Sequence, residues 1–219
     1  MNNIKQLVLH RFNVLSLLGV SMLFSIILLM IRMKLTHSFF YLFLVWNLFL
    51  AVIPFTITTY LSSLPKLNKF MLIVWFSVWL LFLPNAPYIV TDLLHLKISN
   101  TSFLWLDILV VLSFAFNGLV LFFISLRDMK SILDAFIGKI KTNYVITFIL
   151  FLTAFGVYLG RFLRYNSWEI ISNPKYLLID ILNIVIKPFA NSEAWLFTIL
   201  FGSFLIIGFW VFNNLKNTN

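Results

Sequence analysis

Six long apolar runs, with nearly all of the charge confined to the short connections between them, leave this chain one broad way to fold. Inside a bilayer every backbone N–H and C=O must be satisfied without water, and uninterrupted apolar runs near the roughly 20 residues of a span do this as helices. The runs are 12–31, 39–61, 70–83, 102–126, 144–163 and 194–212. The expectation is an all-α fold: a polytopic transmembrane helix bundle of about six spans, with residues 1–219 forming a single integral membrane domain. With 62% hydrophobic and 11% charged residues, a soluble globular protein is excluded. The absence of cysteine removes disulfides, thiolate metal sites and cysteine nucleophiles. Residues 12–31 exceed the roughly 7–15 residues of a signal-peptide core, and no small-x-small cleavage site comes after them.

The third run is the irregular one. Pro84 and Pro87 each remove a backbone donor and bias Leu83 and Ala86 away from helical geometry, so a helix from about Phe70 is expected to stop near Leu83. At 1.5 Å per residue its 14 or so residues reach roughly 21 Å, short of the ~30 Å hydrocarbon core. The Pro-Asn-Ala-Pro turn then lies within the membrane or at its boundary, which irregular backbone tolerates only beside protein or a wet cavity. Asn85 is placed to cap a second, interfacial helix near 87–97. On it Thr91, Asp92 and His95 share one edge.

A carboxylate three residues before an imidazole can fix the ring's tautomer for acid/base work or share a metal. The commoner reading of such a pair is an interfacial helix whose acid and histidine bond to each other or to lipid head groups. Asp107, one turn inside the fourth run, lies on one meridian with Phe114, Gly118 and Ser125, a face expected to turn inward because a lone carboxylate in lipid is costly. Residues 127–143 are hydrophilic and read as a solvated loop. The fifth run carries Gly156-x-x-x-Gly160 and ends in Arg161, Arg164, Asn166 and Glu169. These arginines are suited to pairing with Asp107 and Glu169, to clamping an anionic head group, or to snorkelling beside Trp168. Residues 176–189 are too few to span; with Asp180, Asn183 and Lys187 on one stripe they read as a second interfacial helix.

Counting Lys and Arg by parity gives nine on the side of the amino terminus and seven on the other, a preference for both termini in the cytoplasm of a bacterial plasma membrane. By the same parity Asp92, His95, Asp107, Arg161, Arg164 and Glu169 fall on one face. The net charge of +9 sits in connections that suit anionic lipid, and gives no case for nucleic acid. No internal repeat supports an inverted-repeat transporter.

Three segments, Leu83-Pro-Asn-Ala-Pro-Tyr-Ile-Val-Thr-Asp-Leu-Leu-His-Leu96, Trp105-Leu-Asp107, and Tyr158-Leu-Gly-Arg-Phe-Leu-Arg-Tyr-Asn-Ser-Trp-Glu169 with Asn173-Pro174, resemble the bacterial family of polytopic membrane proteins known as domain of unknown function 1361. Glu169 stands where the family pattern shows Asp, which keeps the charge. The resemblance implies a multi-spanning membrane protein and brings no activity, substrate or cofactor with it. Two functions compete. One is a non-enzymatic membrane protein, a partner subunit or small permease component, in which the charged residues form a structural network. The other is a membrane-embedded site for an anionic lipid-like substrate, in which Asp92, His95 and Asp107 supply acid/base chemistry or ligate a divalent ion. There Arg161, Arg164, Asn166, Glu169 and Asn85 bind the ligand. The sequence names no cofactor and no firm metal site; the partners it indicates are the lipid bilayer, other membrane proteins and such a ligand.

Overall fold

The computed structural model describes residues 11–98, 103–165, 169–172 and 174–214, and within them the chain is helical with no strand. Six helical stretches are long and apolar enough to cross a membrane. The chain packs as two units, one up to Asp128 and one from Met129 onward.

In the first unit, α1 (Phe12–Thr36) turns back through a left-handed His37, φ 49°, into one 3-10 turn and α2 (Phe43–Ser63), which carries Pro54 inside it. Helix α3 (Lys69–Phe82) opens on Asn68, whose side chain accepts from the Met71 N–H at 2.7 Å. Its end at Phe82 matches the expectation, but the chain does not leave helical geometry there. Leu83 stays right-handed helical at φ −55°, ψ −40°, and Pro84 comes next at φ −60°, ψ −25°. A four-residue turn, α4 (Asn85–Tyr88), and a 3-10 helix over Ile89–Ile98 then continue in the same sense. The third stretch therefore reaches a spanning 29 residues, Lys69–Lys97, rather than stopping short.

The bonds that proline removes are replaced locally. Ala86 N–H shifts to Leu83 O at 3.2 Å, and the Asn85 amide donates backward to Phe82 O at 2.9 Å. Leu83, Ala86 and Ile89 are wholly buried, so packing outweighs the pre-proline preference.

Helix α5 (Leu104–Ile137) supplies the surface against which this broken span lies. Asp107, Phe114, Gly118 and Ser125 are all buried, as their shared meridian predicts. Trp79 Nε1–H donates to Ser125 Oγ at 2.8 Å, and the Ala86 carbonyl approaches Gly118 so closely that a Cβ there would overlap its oxygen. Seven residues separate each pair of partners, so the third stretch runs antiparallel to α5 in helical register.

The hydrophilic segment 127–143 is not a loop. Met129 and Leu133 carry the buried stripe of α5 onward, and the helix ends only at Gly138, whose φ of 81° and ψ of 152° are open to glycine alone. Helix α6 (Lys139–Arg161) starts on the next residue. The charge that suggests a loop by composition belongs to helix surface.

In the second unit α6 packs on α9 (Ser192–Asn214), and the close approach is made at Gly202, where a Cβ would meet Phe151 at 2.5 Å. After the short α7 (Glu169–Ser172), the 13-residue α8 (Pro174–Ile186) is tied down by Trp195 Nε1–H to Ile184 O at 3.1 Å. The Asn191 amide donates to the Asn183 and Lys187 carbonyls at its end. At roughly 20 Å, α8 is too short to span.

Gly118→Ala should lower the thermal midpoint of the detergent-solubilised protein, at an overpacking cost of about 1–3 kcal/mol, because the obstructing atom is backbone. Gly19→Ala, with nothing within 4 Å, should leave the midpoint unchanged or raise it, for a stability gain of up to about 1 kcal/mol.

Candidate functional site

At the end of the first unit where α1 and α2 meet and α5 begins, six polar or aromatic side chains converge. Arg32, buried near the end of α1, donates from Nε to Asp107 Oδ1 at 2.8 Å and from its NH1 nitrogen to Ser38 O at 2.9 Å. Its guanidinium lies over the Tyr41 ring, 4.7 Å from the centroid. Tyr41, itself wholly buried, directs its hydroxyl at the His95 carbonyl, 3.5 Å away.

Asp92 has no exposed surface. The Asn47 amide donates to its Oδ2 at 2.9 Å, and His95 Nε2 lies 3.9 Å from its Oδ1. This proximity is a product of the 3-10 geometry: at three residues per turn, positions i and i+3 eclipse, so Asp92 and His95 stack along the axis. The imidazole contacts the Phe40 and Phe43 rings edge-on, at 5.8 and 5.0 Å, and keeps 31% of its side-chain surface exposed. A buried carboxylate behind a partly open imidazole is an arrangement that can hold or pass a proton.

The structure places Asp92, His95 and Asp107 at one end of one unit. It also adds Arg32, Tyr41 and Asn47. Asp107 takes Arg32 as a cation, a pairing not among those expected from the sequence. The available signal was depth: Arg32 and Asn47 are polar residues within or at the edge of apolar runs, and such residues are usually partnered. Among the described residues no group of three or more His, Asp or Glu is placed to hold a metal, so Asp92, His95 and Asp107 do not form a three-ligand cluster.

Asn85 opens α4 in the first unit, and the other candidates belong to the second. Arg161 ends α6, and Arg164 is exposed with a left-handed backbone, φ 63°, while the Tyr165 N–H reaches back to Leu159 O at 3.1 Å. Glu169 opens α7. Asn166 lies outside the described residues. Asp180, from the stripe on α8, accepts the Tyr165 hydroxyl at 2.7 Å. That bond, with the nearby Asp180 and Glu169 charges, holds the Tyr165 phenol above its ordinary range.

A profile of the family described as protein of unknown function (DUF1361) matches residues 46–207. The chain belongs to the DUF1361 family. The match takes in Asn47, Asp92, His95, Asp107, Arg161, Arg164 and Glu169, and begins after Arg32 and Tyr41. No curated protein and no solved structure matches this DUF1361 chain.

Because the Tyr165 phenol is raised, its bond to Asp180 holds below the ordinary tyrosine range near pH 10 and is lost as pH climbs through the raised value. Ultraviolet titration should therefore show one tyrosine ionising at lower pH in Asp180→Asn than in the parent.

Proposed function

We propose that this multi-pass DUF1361 protein is a non-enzymatic membrane component, a partner subunit or small permease component, whose buried charged cluster is structural. The observation that carries the reading is the buried pairing of Arg32 and Asp107, 7% and 2% exposed, with a second guanidinium nitrogen donating to Ser38 O and the guanidinium lying over the Tyr41 ring. A buried pair adds little net stability, yet removing one member strands the other in a dry site at a cost of about 3–5 kcal/mol. Arg32→Ala and Asp107→Ala should each cut folded yield by that free energy, and the double variant should lose less than their sum. Folded yields equal to the parent's in both single variants would defeat this reading.

The membrane is read as a plasma membrane with the 62–69 and 127–143 segments cytoplasmic, from the nine-to-seven excess of cations. Arg11 and Arg32 face carboxylates on opposite sides of the count, so omitting both leaves the excess unchanged.

A second reading, an anionic lipid-like ligand held by Arg161 and Arg164, draws on the exposed, left-handed Arg164. A non-glycine residue there costs of order 1–3 kcal/mol, a burden that binding would explain. Arg164→Gly should raise stability by about 1 kcal/mol. If the site is functional, the same variant loses retention of phosphatidylglycerol during purification; if the cluster is structural only, lipid retention is unchanged.

A further inference from the structure

Helices α1 and α5 are joined by polar contacts at three levels. Arg11 pairs with Asp128, and Arg32 pairs with Asp107. Between them the Asn117 amide donates to Ser25 Oγ at 3.0 Å and to Ser21 O at 3.3 Å. From Arg11, the residue that caps α1, to Arg32 within it, and from Asp107 to Asp128 on α5, the chain advances 21 residues in each case, so the helices are antiparallel and in register. At 1.5 Å per residue the two ion pairs stand roughly 31 Å apart, close to the ~30 Å thickness of a bilayer's hydrocarbon core. Asn117, the middle contact, sits ten residues from Asp107 and eleven from Asp128. Between the two pairs the outward face of α1 is apolar, with Leu17, Val20, Leu23, Ile27 and Ile31 exposed.

We infer that the hydrocarbon core of the bilayer lies between the Arg11–Asp128 and Arg32–Asp107 pairs, each pair marking one boundary and the acyl chains covering the face of α1 between them. Charge pairs belong at the edges of the apolar slab, where partners neutralise each other and the long arginine side chain needs little reach to the head groups, rather than at its centre, where an ion costs most. The register places two further features. Ala86 touches α5 at Gly118, one residue from the middle contact, so the Pro-Asn-Ala-Pro break lies at mid-depth. From Gly118 back to Asp107 is roughly 17 Å, and from Ala86 on to His95, mostly at the 2.0 Å rise of a 3-10 helix, is about the same. The imidazole of His95 is therefore at a head-group boundary, open to the aqueous phase, and not in the apolar interior.

The absence of native cysteine makes the test direct. Nitroxide labels placed singly at Val14, Val20, Leu23, Ile27, Ile31 and Leu94, all exposed positions, would be read in dioleoylphosphatidylcholine vesicles for collision with oxygen and with a water-soluble nickel complex. The oxygen-to-nickel ratio should be highest at Val20 and Leu23 and fall several-fold toward both Val14 and Ile31, with Leu94 matching Ile31. A maximum at Val14 or Ile31, a profile without a maximum, or a Leu94 value as deep as Val20 overturns the assignment. Six separate sites, each facing outward, keep the profile readable if one labelled variant fails to fold. A shifted depth profile leaves the Arg32–Asp107 double-variant result untouched, so the two readings fail separately.

Discussion

The buried pair of Arg32 and Asp107 is the constraint on which the first unit depends. Neither ion can be held alone in a dry site, so the end of α1 and the start of α5 must meet, and their meeting fixes where the connections around them run. Ser38, in the connection out of α1, is drawn in by its carbonyl, and Tyr41 by the face of its ring. Tyr41 in turn brings the chain beside His95, and α2 then delivers Asn47 to Asp92. One desolvated cation thus draws the stretch from Arg32 to Asn47 together with the distant residues 92–95 and Asp107.

The second dependency is steric. A span interrupted by two prolines has carbonyls without their usual donors, and it is stable only where something else satisfies or covers them. Asn85 satisfies one carbonyl from within the turn, and Gly118 lets α5 come close enough to cover another. The consequence reaches the candidate site, because only a chain that keeps its helical sense through the break carries Asp92 and His95 on to the level of Asp107. The tight 3-10 winding then stacks the acid over the imidazole, which an α-helix would have offset.

The helical class, the six spans and the inward face of α5 were legible because apolar length and 3.6-residue periodicity are strong signals. The local signals at Leu83 and in 127–143 are sound as chemistry and misleading as structure. A pre-proline bias is worth less than burying Leu83, Ala86 and Ile89, and helix formers spaced as Met129 and Leu133 are do not stop for charge. In the site, Asp92, His95 and Asp107 stood out as ionisable residues near apolar runs. Arg32 did not, since a cation at the end of a run reads equally as a topology marker; its burial depends on Asp107, 75 residues away, and no local pattern encodes that distance.

The joint at Gly138 bears on how this protein can be handled. With one residue between two helices there is no slack: an inserted residue would turn α6 by about 100° about its axis against the end of α5. A stretch that looks by composition like the natural place for an epitope tag, a fluorescent domain or a protease site is therefore among the least tolerant in the chain. The segment from Leu64 to Leu67, outside any helix and carrying an exposed Lys66, is where such an insertion can be absorbed.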